Sequence, residues 1–269
     1  MRRESSLIPA RPARPPAPWI GGKRNLADTI IAEIERLPHD LYAEPFVGMA
    51  GVFLRRPFKA QGEVINDINR EVATLFRVLQ RHYVAFMDML RWQLTSRAEF
   101  ERLKACSADT LTDLERAARF LYLQRTTFGG RVRGQTFGVT YGPGRFDVTK
   151  LVPLLEAVHE RLAGVVIECL PWDAFIDRYD RPGTLLYCDP PYWGSEDDYG
   201  KQLWSPDDFA RLADRLRRVK GNFLVSLNDV PAVREAFKGC RLKPVKTTYS
   251  IAKNSGTPQA AKELLISGP

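Results

Sequence analysis

Four consecutive residues, Asp189-Pro190-Pro191-Tyr192, carry the strongest chemical signal in the chain. They follow the apolar run Leu185-Leu186-Tyr187-Cys188, which reads as a buried strand. Two prolines neither extend a strand nor donate a backbone hydrogen bond, so this loop is stiff and its carbonyls are free to accept. A carboxylate, a fixed carbonyl and an aromatic ring held together form a receptor for a planar ring bearing an amino group. The competing reading is a plain turn whose acid caps a helix.

A second constellation, Glu44-Pro45-Phe46-Val47-Gly48-Met49-Ala50-Gly51, closes another apolar run, Leu41–Phe46. A glycine turn between a strand and a helix lets backbone approach a nucleotide-like ligand, and Asp67, at the end of a further strand, is placed to grip ribose hydroxyls. The turn lacks the G-x-G-x-x-G of a pyrophosphate binder, so an adenosine cofactor without phosphates fits better; an ordinary tight turn is the alternative. Gly21-Gly22-Lys23 invites a phosphate-loop reading, but Ala17 stands where that loop needs glycine and Arg24 where it needs Ser or Thr. Lys23 is left as either a solvated lysine or a cation for a ligand carboxylate.

The elements that position these residues read as an α/β fold. Leu26, Ile30, Ile31, Ile34 and Leu37 follow helical spacing, and Pro38 stops the run. Strands are expected at Leu41–Phe46 and Glu63–Ile68, with a helix opening at Val52-Phe53-Leu54 between them, and this alternation points to a parallel sheet. The stretch 70–162 is mostly helical in pattern, interrupted by a Gly- and Arg-rich run from Phe128 to Gly138. Strand-like runs resume at Val165–Cys169, Thr184–Cys188, Asn222–Leu227, Val245–Tyr249 and Glu263–Ile266. Before the third of these, Ser205-Pro206-Asp207-Asp208 opens a helix with an N-cap, a proline and acids in sequence. The fold expected is therefore a Rossmann-like mixed sheet with a smaller, mainly helical inserted module. Residues 1–18, rich in Pro and Arg, form a disordered arm; 19–75 and 163–269 form the two halves of the sheet domain, with 76–162 inserted.

Composition narrows the class. The 269 residues are 44% hydrophobic and 27% charged, enough for a core without disulfide or metal staples. Forty Lys and Arg against 32 Asp and Glu give a net charge of +8, which a polyanionic partner and a solvated basic surface both accommodate. Cys106, Cys169, Cys188 and Cys240 are widely spaced and only three histidines are present, so no metal site is expected and a reducing, intracellular compartment is the default. No apolar run is long enough for a membrane span or a signal peptide.

Taken together, Pro18-Trp19-Ile20-Gly21-Gly22-Lys23, Glu44-Pro45-Phe46-Val47-Gly48, Asn66-Asp67-Ile68-Asn69, Asp189-Pro190-Pro191-Tyr192 and Lys262-Glu263-Leu264-Leu265-Ile266 resemble the motifs of the Dam-type (D12-class) DNA adenine methyltransferases, in family order. The resemblance implies S-adenosyl-L-methionine as methyl donor and adenine N6 in double-stranded DNA as acceptor, in the cytoplasm of a bacterium or phage-infected host. It leaves the oligomeric state open, monomer included. It implies that Trp19 and Lys23 contact the cofactor, that Glu44, Phe46 and Gly48 shape its pocket, that Asp67 holds the ribose and that Trp172 lies beside the cofactor adenine. Asp189, Pro190, Pro191 and Tyr192 would form the catalytic loop, with Asp189 between cofactor and target amine.

Target recognition is expected in the insert. Across residues 116–150 the basic side chains Arg116, Arg119, Arg125, Arg131, Arg133, Arg145 and Lys150 stand against only Asp147, and Arg125, Arg131, Arg133 and Gln135 are the candidate DNA contacts, to base edges or to phosphates. The segment departs from the family pattern: Gly129 and Gly138 replace Asn, and Thr140 replaces Pro, so relaxed specificity is open. Ala50 stands where some members carry a second glycine, and the turn is expected to survive. An N4-cytosine or RNA methyltransferase, or an idle DNA-binding module, are the competing functions; Asp rather than Ser before Pro190 favours adenine by family habit.

Overall fold

The computed structural model describes residues 7–132, 134–138, 144–195, 204–249 and 259–268. Arg133, Thr140 and the acidic run 196–198 lie outside them. In chain order the elements are β1 (Ile8–Pro9), α1 (Ala27–Arg36), β2 (Leu41–Glu44), β3 (Phe58–Lys59), β4 (Gly62–Asn66), α2 (Arg70–Arg81), α3 (Tyr83–Arg91), α4 (Arg97–Ala105) and α5 (Asp113–Thr126). They continue with α6 (Val148–Arg161), β5 (Val166–Glu168), α7 (Trp172–Tyr179), β6 (Thr184–Cys188), α8 (Pro206–Leu216), β7 (Asn222–Asn228), α9 (Pro231–Ala236), β8 (Arg241–Tyr249) and β9 (Gln259–Ser267).

Seven strands form one sheet in the order β5-β4-β2-β6-β7-β9-β8. The first five run parallel, and β9 inserts antiparallel between β7 and β8. The chain works outward from β2 to β5, then returns to pair β6 with the other side of β2. The carboxyl ends of β2 and β6 therefore flank the point where strand order reverses, which is where open α/β sheets bind ligands.

Strand alternation divides the interior into two layers. Tyr42, Ile65, Leu185 and Tyr187 face a cluster with Ile30 and Ile34 of α1, Leu75 and Phe76 of α2, and Leu151 and Leu155 of α6. Phe86, Phe100 and Leu121 of α3, α4 and α5 belong to that same cluster, so the helices of the insert share the core of the sheet. Ala43, Val64, Leu186 and Cys188 face the other layer, built from Phe175 of α7, Phe209 and Leu212 of α8, and Val233 of α9. Within the first layer lies a buried ionic triad. Glu63 accepts from Arg56 (2.8 Å) and Arg161 (2.5 and 2.9 Å), while the two guanidiniums lie over Tyr42 (3.8 Å) and Phe53 (4.2 Å). Glu63→Gln removes the only anion between two buried cations and is expected to cost about 3 kcal/mol of stability, measurable by urea denaturation.

Two expectations are corrected. The helix expected from Val52 is a single 3-10 turn, Phe53–Arg55. Pro57 forces Arg56 into extended backbone (φ −64°, ψ 125°), and the chain turns into β3 instead of continuing as a helix. The Pro/Arg-rich start is not a loose arm from Leu7 onward. β1 pairs with β3, Ala10 N–H donates to Pro57 O and Ala13 N–H to Leu54 O, and Ala13 and Ala17 are buried. Its proline carbonyls serve as acceptors: Arg125 Nη1 donates to Pro16 O and Gln124 Nε2 to Pro18 O, both at 2.8 Å. Its core residues are few and small, Ala13 and Ala17, and the partners that fix the segment come from β3 and α5, far away in sequence.

Candidate active site

Asp189 emerges directly from the fully buried strand β6. Its Oδ1 accepts from Lys23 Nζ at 2.7 Å and from Ser226 Oγ at 2.9 Å. The Tyr187 hydroxyl lies 2.9 Å from Ser226 Oγ; because Ser226 gives its proton to Asp189, Tyr187 is the donor in this pair. Asp189 Oδ2 has no hydrogen-bond partner among the described residues, so one carboxylate oxygen is clamped and the other is available. Burial pushes the Asp189 carboxyl up, and Lys23 and Ser226 pull it back. Lys23 is itself buried; its ammonium also donates to Gly21 O (2.8 Å) and sits 4.6 Å from the centre of the Tyr192 ring. Lys23 is thus the counter-ion of Asp189, a position the sequence left open between solvent and a ligand carboxylate.

The turn after β2 is held from β4. Asp67 accepts from Gly48 N–H and from Asn69 N–H, both at 2.9 Å, and burial pushes its carboxyl up to about 6. Buried Asn66 ties three loops at the same sheet edge, donating to Pro45 O and Leu170 O and accepting from Leu170 N–H. Gly48 has φ +49°, and a Cβ there would stand 2.6 Å from the Trp19 indole nitrogen, so Trp19 can lie against the turn only because residue 48 is glycine. Ala50 takes φ +57°, so the turn survives without the second glycine at the cost of a left-handed alanine. Glu44 is buried, accepts from Tyr42 OH at 2.7 Å, and is pushed up to about 8 by burial, so near neutral pH it is mostly uncharged beside Asp189.

Aromatic rings close the far side. Phe46 and Trp172 both pack on Trp204, at 5.5 and 6.1 Å between ring centres. Trp204 is missed by the sequence reading, although a signal exists: it precedes the N-cap Ser205 and packs at 5.3 Å on Phe209, four residues into the cap, a hydrophobic staple that fixes the entry of α8. Ser226 and Tyr187 are missed as well; their signal is a polar residue within each of two apolar strands. Glu263 of β9 is fully buried opposite Asn228, with the Tyr192 hydroxyl bearing on its carboxyl. Burial raises its carboxyl, and the nearby charge of Lys23 opposes that rise.

All of the expected cofactor and catalytic residues (Trp19, Lys23, Glu44, Phe46, Gly48, Asp67, Trp172, Asp189, Pro190, Pro191 and Tyr192) line one cavity of about 1740 Å³. That is larger than an ordinary single-ligand pocket and accommodates a cofactor together with a second planar ligand. Arg125, Phe128, Arg131 and Lys150 border the same cavity. Arg131 and Phe128 are exposed there. Arg125, expected to face a polyanion, instead turns its guanidinium to Pro16 O and Arg145 O, since it is half-buried and needs acceptors. Gln135 is outside the cavity lining, with its amide on Arg131 O (3.1 Å) and Gln124 Oε1 (3.4 Å), and Arg133 lies outside the described residues. The two departures in this loop have local causes: Gly129 holds φ +71°, and a Cβ on Gly138 would stand 2.6 Å from the Arg145 guanidinium.

Comparisons with known proteins agree with this geometry. Residues 19–251 match the family model of the D12 class N6 adenine-specific DNA methyltransferases. The chain is 26% identical to a DNA adenine methylase of Haemophilus influenzae over 98% of this chain and 96% of that protein. It is 27% identical to the type II methyltransferase M1.LlaDCHI of Lactococcus lactis subsp. cremoris over 94% of each. A type II methyltransferase of a Paramecium bursaria Chlorella virus, M.CviBI, is 23% identical over 90% of this chain and 94% of its own. With the motifs in order, the catalytic loop at the sheet's reversal point and the model matched over most of its length, the chain belongs to the D12 class N6 adenine-specific DNA methyltransferases.

Proposed function

We propose that Asp189 Oδ2 and the Pro190 carbonyl accept the two hydrogens of an adenine N6 amine, with S-adenosyl-L-methionine as the methyl donor. The observation that carries this is the asymmetry of Asp189: Oδ1 is held by Lys23 and Ser226, and Oδ2 is left to a ligand. The residues present fit the cofactor. Asp67 offers a carboxylate to ribose hydroxyls, Phe46 and Trp172 offer flat apolar surface to an adenine ring, and the Gly48 turn admits close backbone approach. When bound, the cofactor supplies an electrophilic methyl group on a sulfonium.

The chain's own groups do the rest. The N6 lone pair of adenine is delocalised into the ring, and two acceptors on its N–H bonds localise it on nitrogen, a matter of positioning and electrostatics. No prior deprotonation is needed, because the proton leaves once nitrogen has become cationic. Tyr192, half-buried with the Lys23 ammonium 4.6 Å from its ring centre, offers a ring face to the base. A base stacked within a duplex cannot bring its amine to Asp189 at the floor of the cavity, so flipping is required, at a cost of a few kcal/mol that contacts elsewhere offset. The helices between β4 and β5, with Arg131 and Phe128 at the cavity border, form the target-recognition module in this reading. A double-stranded DNA substrate places the enzyme in the cytoplasm of a bacterium or of a phage-infected cell; no helix among the described residues is long and apolar enough to cross a membrane.

Expression in cells lacking adenine methylation, followed by modification-aware sequencing, tests the reading. N6-methyladenine at a recurrent sequence is expected, and unmodified adenine throughout, with folded enzyme present, counts against it. A pH test bears on Asp67. A ribose hydroxyl donates to the ionised carboxylate, and that group sits at about 6. Cofactor affinity is therefore expected to be full above that pH and to fall about tenfold per unit well below it. Calorimetric titration from pH 8 to 5 checks this, with Asp67→Asn binding weakly but without the slope.

A further inference from the structure

Three arginines that none of the cofactor, catalytic or recognition assignments uses converge on the same cavity. Arg14 comes from the ordered proline-rich segment, Arg24 from the approach to α1 and Arg55 from the 3-10 turn after β2. Arg14 and Arg24 are exposed, while Arg55 is half-buried with Nη1 donating to Gly51 O at 2.6 Å. The neighbouring acid that also borders the cavity is Asp28, and none of the three arginines forms an ion pair among the described residues.

Other arginines of the chain are matched to carboxylates: Arg36 with Glu33, Arg116 with Asp109 and Glu71, Arg178 with Glu168, Arg215 with Asp177 and Asp180, Arg234 with Asp229. Burial lowers the proton affinity of Arg55, and repulsion from Arg24 and Arg14 adds to it against the opposing charge of Asp28. Three cations sharing one nearby aspartate keep a net positive charge that an anionic ligand relieves. The segment carrying Arg14 is also fixed: Ala13 N–H is bonded to Leu54 O, and Pro16 O takes the guanidinium of Arg125. The cluster is thus preorganised on three separate elements.

We propose that Arg14, Arg24 and Arg55 form a clamp for the phosphodiester backbone of the DNA strand that enters the cavity. This rests on the reading of the chain as a DNA methyltransferase and extends it to residues upstream of and beside the cofactor turn. A backbone with one negative charge per nucleotide matches several converging cations. The amino-acid end of the cofactor is a zwitterion and does not.

The test is the salt dependence of duplex binding by the full chain, read by fluorescence anisotropy. The double variant Arg14→Gln/Arg24→Gln changes only exposed side chains, and Arg36→Gln/Lys238→Gln makes the same charge change outside the cavity. Each lost phosphate contact lowers the slope of log K against log salt by about 0.9, so the cavity double is expected to lose roughly 2 units of slope. Taken from a 1 M reference, that corresponds to roughly 30-fold weaker binding at about 0.15 M salt, with S-adenosyl-L-methionine affinity unchanged. Adding Arg55→Gln should lower the slope again. A slope equal to that of the remote double overturns the clamp. So does a loss of cofactor affinity with the slope intact, which assigns the cluster to the cofactor carboxylate. Wild-type protein that neither binds nor methylates DNA would defeat the activity itself, a separate outcome.

Discussion

Asp189→Ala abolishes methyl transfer, with kcat down by about 10³-fold or more, while the cofactor still binds. The size follows from losing a preorganised acceptor in a partly dry site, where single electrostatic contacts to a transition state are worth 10²–10³-fold and this residue also orients the amine. Alanine takes from the buried ammonium of Lys23 its ion-pair partner, leaving Gly21 O and the Tyr192 ring, so some stability is lost too. Asp189→Asn separates the two effects. It keeps the volume and an acceptor for Ser226 and Lys23, but offers the target amine a neutral amide whose second group is a donor. A folded, cofactor-binding Asn variant with less than a thousandth of wild-type kcat is the expected result of stopped-time assays. Activity within tenfold of wild type in that variant is incompatible with the proposed role.

Lys23→Met produces the second large effect, and its signature is a pH profile. Burial raises the Asp189 carboxyl, and Lys23 is the foremost group holding it down. Without the ammonium the carboxyl rises further, so at neutral pH a larger share is protonated and Oδ2 or Oδ1 no longer accepts freely. The sign is fixed: a group with a raised value is charged only as pH climbs through that value, so activity of the variant should be lowest in acid and recover as pH increases. A fall of about tenfold or more near pH 7, narrowing as the pH rises, is expected from steady-state rates measured between pH 6 and about 9. A pH-independent loss would show that Lys23 acts on the cofactor and not through Asp189.

Much of this site is legible in the chain because parallel strands convert order in sequence into place in space. An apolar run ending in Asp189, and another ending at Glu44, both deliver their next residues to the carboxyl edge of the sheet. Once β2 and β6 are neighbours, Phe46, Gly48 and Asp189 must meet. Asp67 follows for the same reason, since β4 pairs with β2 in register from Leu41 to Glu44. What stays hidden depends on pairings between distant segments. Nothing local to Ser226 says that it lies beside Asp189; that requires β7 next to β6 with Cys188 opposite Val225.

The same holds for the start of the chain. Its prolines and arginines lack the apolar surface that marks a packed segment, yet from Leu7 it is fixed through backbone carbonyls to Arg125 and Gln124, a mode of attachment with no hydrophobic signature. Arg125 is the other side of that attachment. A basic residue in a basic stretch reads as a partner contact, and nothing in the sequence signals that this guanidinium also bonds the proline carbonyl of the segment. The false helix at Val52 had its warning two residues downstream of the turn, in the constraint Pro57 places on Arg56.

The central claim is that the open oxygen of Asp189 serves an exocyclic adenine amine. Duplex DNA incubated with the purified chain and isotopically labelled S-adenosyl-L-methionine, digested to nucleosides and resolved by mass spectrometry, tests it most directly. The account predicts label in N6-methyldeoxyadenosine with wild-type protein and none with Asp189→Asn. Label in N4-methyldeoxycytidine, or equal label in adenine with both proteins, would contradict it.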